Sequence, residues 1–111
     1  MSGLAAPKHT LLLVQYNASH ASRTFLEYES IAAAMDGVCA LYEKELKSLN
    51  PGVTDITYDI ADLYKYIEAL ADISCMVYHE PIKAYLARNR SWVQKNLYSH
   101  LRGEAETSSI V

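Results

Sequence analysis

The residues that could do chemistry are few and scattered. Four histidines, His9, His20, His79 and His100, are too far apart to form the one-turn pair that grips a metal ion. Asp55, Asp59 and Asp62 are the closest thing to an acidic cluster, but a helix start accounts for Asp59 and Asp62 without a metal. Cys39 and Cys75 have no metal-ligand spacing and fall inside apolar segments, so they read as reduced, buried thiols. No serine sits in a Gly-x-Ser-x-Gly turn, and four glycines in the chain make no phosphate loop. The sequence therefore offers no catalytic set, metal site or cofactor site. Arg88, Arg90, Lys95 and Arg102 concentrate positive charge near the C-terminal end. They read first as a solvated face and second as a grip on an acidic segment or RNA phosphate.

The residue type in excess is tyrosine, with nine in 111 residues. Tyrosine joins apolar area to a polar tip, which suits contact surfaces. Tyr16, Tyr28, Tyr78 and Tyr85 lie in or beside predicted strands and are the candidates for dimer or partner contacts, with ordinary sheet packing as the alternative.

The elements that place these residues follow from periodicity. A strand is expected over 8–16, centred on Leu11-Leu12-Leu13-Val14, and another over 23–28. In the second, Thr24, Leu26 and Tyr28 face one way and Phe25 and Glu27 the other. Ser30 caps a helix over 31–49 with a buried stripe of Ile31, Met35, Val38, Leu41, Tyr42 and Leu49, and Gly37 suits a close approach to the sheet. Asn50-Pro51-Gly52 is a turn. Asp59 caps the next helix, in which Ile60, Leu63, Tyr64, Ile67 and Leu70 recur at helical spacing. The period then changes, and residues 73–78 read as a strand. A short strand over 83–88 follows. A capping box at Ser91 and Gln94 opens a last helix, stopped at Gly103. The order β-β-α-α-β-β-α contains no obligatory parallel crossover. It predicts an α+β fold, a four-stranded antiparallel sheet with three helices packed on one face. Residues 1–7 form a flexible N-terminal extension, 8–102 a single domain and 103–111 a flexible tail.

Two strands, at 11–14 and 73–78, are apolar on both parities, although a sheet with one solvated face should alternate. The chain is too short to cover both faces with helices, so the second face is expected to meet another molecule; sealing by loops of the same chain is the alternative. Ile73, Cys75 and Val77 suit the helix side, which leaves Ser74, Met76 and Tyr78 outward. Either parity would serve the first strand, and Leu11 and Leu13 are assigned outward. The predicted contact is Leu11, Leu13, Met76 and Tyr78.

Composition sets bounds on partners. A net charge of −3 and a pI near 5.7 argue against holding nucleic acid by general electrostatics. The longest apolar run is far too short to span a bilayer, and residues 1–7 lack the features of a signal peptide. The glycosylation patterns at Asn17 and Asn89 carry no weight without secretion.

Six pieces of the chain resemble the enhancer of rudimentary homolog family, small nuclear proteins found across eukaryotes. They are HTLLLVQ (9–15), RTFLEYES (23–30), DGVCALYE (36–43), ITYDI (56–60), ALADISCMVY (69–78) and Trp92, in order and across nearly the whole chain. The resemblance implies the same sheet with three helices on one face, and a homodimer formed through the other face. It also implies a non-enzymatic adaptor that holds short segments of nuclear RNA-processing and transcription proteins. Splicing, RNA decay, small-RNA pathways, cell-cycle progression and pyrimidine metabolism are the implied settings. The implied location is nuclear, with the cytoplasm as a further compartment. Thr24, with Glu27 three residues on, matches a proposed casein kinase II site of the family. A second such site would fall at Ser30, but Ala33 replaces the acidic residue it needs, and Ser30 reads as a helix cap. The alternative function is a direct RNA-binding module that stacks bases on a tyrosine-rich sheet.

Overall fold

The computed structural model describes residues 8–110, and the expected extension at 1–7 lies outside the described residues, as does residue 111. Four strands form one antiparallel sheet: β1 (Thr10–Gln15), β2 (Arg23–Tyr28), β3 (Asp72–His79) and β4 (Ala84–Arg88), in the order β2-β1-β3-β4. The two strands that are apolar on both parities are therefore the two central ones. Leu12 lies between Leu26 and Cys75, and Val14 between Thr24 and Ile73. One face of the sheet carries Thr10, Leu12, Val14, Ile73, Cys75 and Val77, all buried. These pack in one core with Ala34, Met35 and Val38 of α1 (Ile31–Leu49), Leu63 and Ile67 of α2 (Ile60–Ala69), and Val93 and Leu97 of α3 (Arg90–Ile110).

The helix starts are set by side chains that satisfy free amides. Ser30 Oγ accepts from the Ala33 amide at 3.0 Å. At α2, Asp59 accepts from the Asp62 amide at 2.9 Å, and Asp62 accepts in return from the Asp59 amide at 3.3 Å. Asp62 thus completes a box, a closer role than supplying charge to the first turn. We expect Asp59→Ala to cost about 0.5–2 kcal/mol, the usual worth of a cap. It should appear as a lower urea midpoint with an unchanged slope.

Gly37 lies directly against the Tyr28 ring, and a Cβ placed there would overlap the phenol. The missing side chain lets α1 sit down on β2. Gly37→Ala gains roughly 0.5–1 kcal/mol of helix preference but overpacks a filled site at roughly 1–3 kcal/mol. A net loss is expected in chemical denaturation, and it should shrink when the same change is made in a Tyr28→Ala background.

Several boundaries differ from the sequence expectation. Leu49 is 70% exposed although it follows the apolar period of α1; the buried residues of that helix end at Cys39. Lys83 is not part of β4; it takes a left-handed conformation (φ 52°) that closes the 3-10 turn over Glu80–Ile82. The cap of α3 is Asn89, not Ser91: Asn89 Oδ1 accepts from the Trp92 amide at 3.0 Å. The helix starts two residues earlier, and Arg90 at its first position reaches back to the Leu70 and Ala71 carbonyls at 2.9 and 3.3 Å. Gly103 does not stop α3, which runs over Arg90–Ile110.

Candidate docking face of the sheet

The face turned away from the helices is built in rows by the strand register. Glu27, Leu11, Met76 and Ala87 form one row, and Phe25, Leu13 and Ser74 a second. At the β4 end, Tyr78 lies across from Tyr85, with ring centroids 5.3 Å apart in an edge-on arrangement. Phe25 is 61% exposed, Leu13 37% and Tyr85 39%. Leu11, Met76 and Tyr78 are half-buried by one another and by these neighbours. The four residues assigned outward by parity, Leu11, Leu13, Met76 and Tyr78, therefore share one surface.

Polar groups border this apolar surface. At one end Arg23 Nε donates to Gln15 Oε1 at 2.8 Å, beside Asp72. At the other, His9 lies between Glu27 (Nε2 to Oε2, 3.3 Å) and the Tyr85 hydroxyl (Nδ1, 2.7 Å). Glu27 as a carboxylate can only accept, so His9 Nε2 carries a proton, and in the neutral ring Nδ1 accepts from Tyr85. An apolar centre with a polar border is the usual anatomy of a protein contact surface.

Of the other candidates, all but Tyr85 fall elsewhere. Tyr28 belongs to the helix side, its ring under α1, and burial is the main cause that pushes its hydroxyl pKa up. Tyr16 lies one residue past β1, on a shallow groove with Leu41, Lys44, Leu49 and Tyr66. Thr24 has helix-side parity opposite Val14 but is exposed, because β2 is an edge strand. Tyr85 is on the outward face, as noted. Phe25 and Ala87 were not singled out from the sequence, although the alternation of β2 already put Phe25 opposite in parity to Leu26.

Burial pushes the Cys75 thiol up to about 11, which keeps it protonated and unreactive near neutrality. His100 pairs with Asp36 at 2.8 Å, joining α3 to α1. Among the described residues no group of three His, Cys, Asp or Glu could hold a metal ion, and no helix is long and apolar enough to cross a membrane.

The enhancer of rudimentary family model matches residues 6–107. The chain belongs to the enhancer of rudimentary family. It is 47% identical to the enhancer of rudimentary homolog of Arabidopsis thaliana over 92% of this chain and 94% of that protein. It is 44% identical to the protein enhancer of rudimentary of Drosophila virilis, over 87% of this chain and 93% of the relative. The homolog from Dictyostelium discoideum is 43% identical over 88% and 98%. The family match runs through every strand of the sheet, so the outward face lies wholly within the enhancer of rudimentary domain.

Proposed function

We propose that this enhancer of rudimentary protein is a non-enzymatic adaptor that pairs with a second copy through the outward sheet face. The paired molecule holds short segments of nuclear RNA-processing and transcription proteins. The observation that carries the reading is the contiguous apolar surface of Leu11, Leu13, Phe25, Met76 and Tyr78, left open by the chain's own helices and bordered by charge. A two-fold pairing of such a surface is self-complementary and presents every remaining site twice. Segments that order on binding have modest single-site affinity, so two equivalent sites would act together by avidity. A phosphate on Thr24 would sit at the exposed edge of β2, on the helix side, and would add about −1.5 to −2 charges there without entering the apolar centre.

The mass of the wild-type chain in solution, read by light scattering across a dilution series, tests the pairing. A dimer mass at micromolar concentration is expected, and a monomer throughout the series would overturn it. The nuclear setting is tested by pulldown of nuclear RNA-processing proteins with the dimeric form.

A further inference from the structure

The sheet has two open edges, β2 and β4, and they differ in what they offer. The Tyr78 amide donates to the His9 carbonyl at 2.9 Å, so the backbone polar groups of Tyr78 face β1. Backbone groups of successive residues in an antiparallel strand point to opposite sides, so those of Met76 face β1 as well. Tyr85 and Ala87 lie across from Tyr78 and Met76. Their N–H and C=O groups therefore point away from β3, out of the sheet. No hydrogen bond among the described residues reaches these four groups.

Open strand edges are normally guarded by proline, a bulge or a charge in mid-strand, because they can template another strand. β4 has none of these in its interior: its sequence is AYLAR, and Ala84 and Ala87 leave room for a neighbouring backbone. Charge lies only at its ends, and both ends are positive. Lys83 precedes the strand; its 3.4 Å contact with Glu80 joins two largely exposed side chains and is worth little. Arg88 ends the strand, its guanidinium over the Trp92 ring at 5.9 Å, and forms no ion pair among the described residues. Two β4 edges paired antiparallel along their length would set the Lys83 end of each near the Arg88 end of the other. That like-charge meeting opposes self-pairing. The β2 edge, by contrast, has the bulky Phe25 and charges of both signs, Arg23 and Glu27.

We propose that the open edge of β4 takes up an extended segment of a partner protein, uncharged at its centre and acidic at both ends, as a fifth strand of the sheet. The segment bonds to the backbone of Tyr85 and Ala87, and its acidic ends meet Lys83 and Arg88. The inference rests on the adaptor reading for the nature of the partner, and not on which surface joins two copies.

The probe is a fluorescent synthetic peptide of alternating valine and threonine with glutamates at both ends, compared with the same peptide ending in lysines. At low salt the acidic-ended peptide should bind at least about tenfold more tightly, and added salt should erode the difference. Hydrogen exchange should slow at the Tyr85 and Ala87 amides. Ala87→Pro removes one outward N–H at a position where an edge strand tolerates proline, and should weaken binding about tenfold. Should that variant fail to fold, Lys83→Glu with Arg88→Glu carries the test, since it should reverse the preference between the peptides. Equal binding of both peptides, no binding of the acidic one at millimolar concentration, or protection at Phe25 and Glu27 instead would overturn the proposal. A wild type that is monomeric yet shows peptide protection at Tyr85 and Ala87 would refute sheet-face pairing and leave this inference standing.

Discussion

Leu13→Arg should convert the protein into a folded monomer. In the single chain Leu13 is 37% exposed on the outward face, so an arginine there can extend into water and should change the stability of the protomer little. In a face-to-face pair the same position lies inside the apolar centre, beside Phe25 and across from Ser74, with no carboxylate in either neighbouring position. A guanidinium confined there loses hydration without gaining a partner, a cost of several kcal/mol per copy and twice that for a symmetric pair. Light scattering should give the monomer mass, while near-ultraviolet circular dichroism keeps the native tyrosine signal. A mutant that stays dimeric would place the contact elsewhere on the molecule. A mutant that loses its dichroism would move Leu13 into the core.

Leu12→Ala, one residue away, should behave in the opposite manner. Leu12 is fully buried between Leu26 and Cys75 at the middle of the sheet. Truncation leaves a cavity walled by two strands and the helices above them, which can relax only in part. A loss of about 2–5 kcal/mol is expected. Small domains hold about 5–15 kcal/mol in total, so a large share of stability goes with one side chain. The readout is the denaturant midpoint at protein concentrations where the oligomeric state of wild type and variant is the same. Loss of less than about 1 kcal/mol would mean that the face assignment of β1 is reversed.

These two neighbours also show how much could be read from the chain. The alternation of β3 was enough to send Ile73, Cys75 and Val77 inward, because a serine at 74 marked the other parity. For β1 no such marker exists within 11–14; the register with β3 settles it, and register is a non-local property that periodicity does not contain. Local capping chemistry was legible at Ser30 and Asp59, where the cap stands immediately before a helical period. It misled at Ser91, because Asn89 two residues upstream competes for the same amides and the strand ends early enough to let it. Leu49 obeys the helical period of α1 yet is exposed, since a period reports which face is apolar and not how far along the helix the burial continues. Residue type leaves Tyr28 open between a surface contact and ordinary sheet packing; its place against Gly37 follows from the approach of α1, which joins two segments only in the folded chain. The apolar centre was found by parity; its extension to Phe25 needed the knowledge that β2 lies next to β1.

The strand order has a kinetic consequence. β1 and β2 are joined by a short loop, and so are β3 and β4, so each hairpin can form from local contacts. The two central strands, β1 and β3, meet only when segments dozens of residues apart in the chain come together, with α1 and α2 between them. Closing that long loop costs entropy before the central pairing returns any stability. During synthesis β1 leaves the ribosome with half of its hydrogen-bonding partners still unmade, and its Leu12 and Val14 face waits for the helices that will cover it. The joining of the two hairpins, and not the formation of either one, is therefore expected to limit the rate at which the native sheet forms.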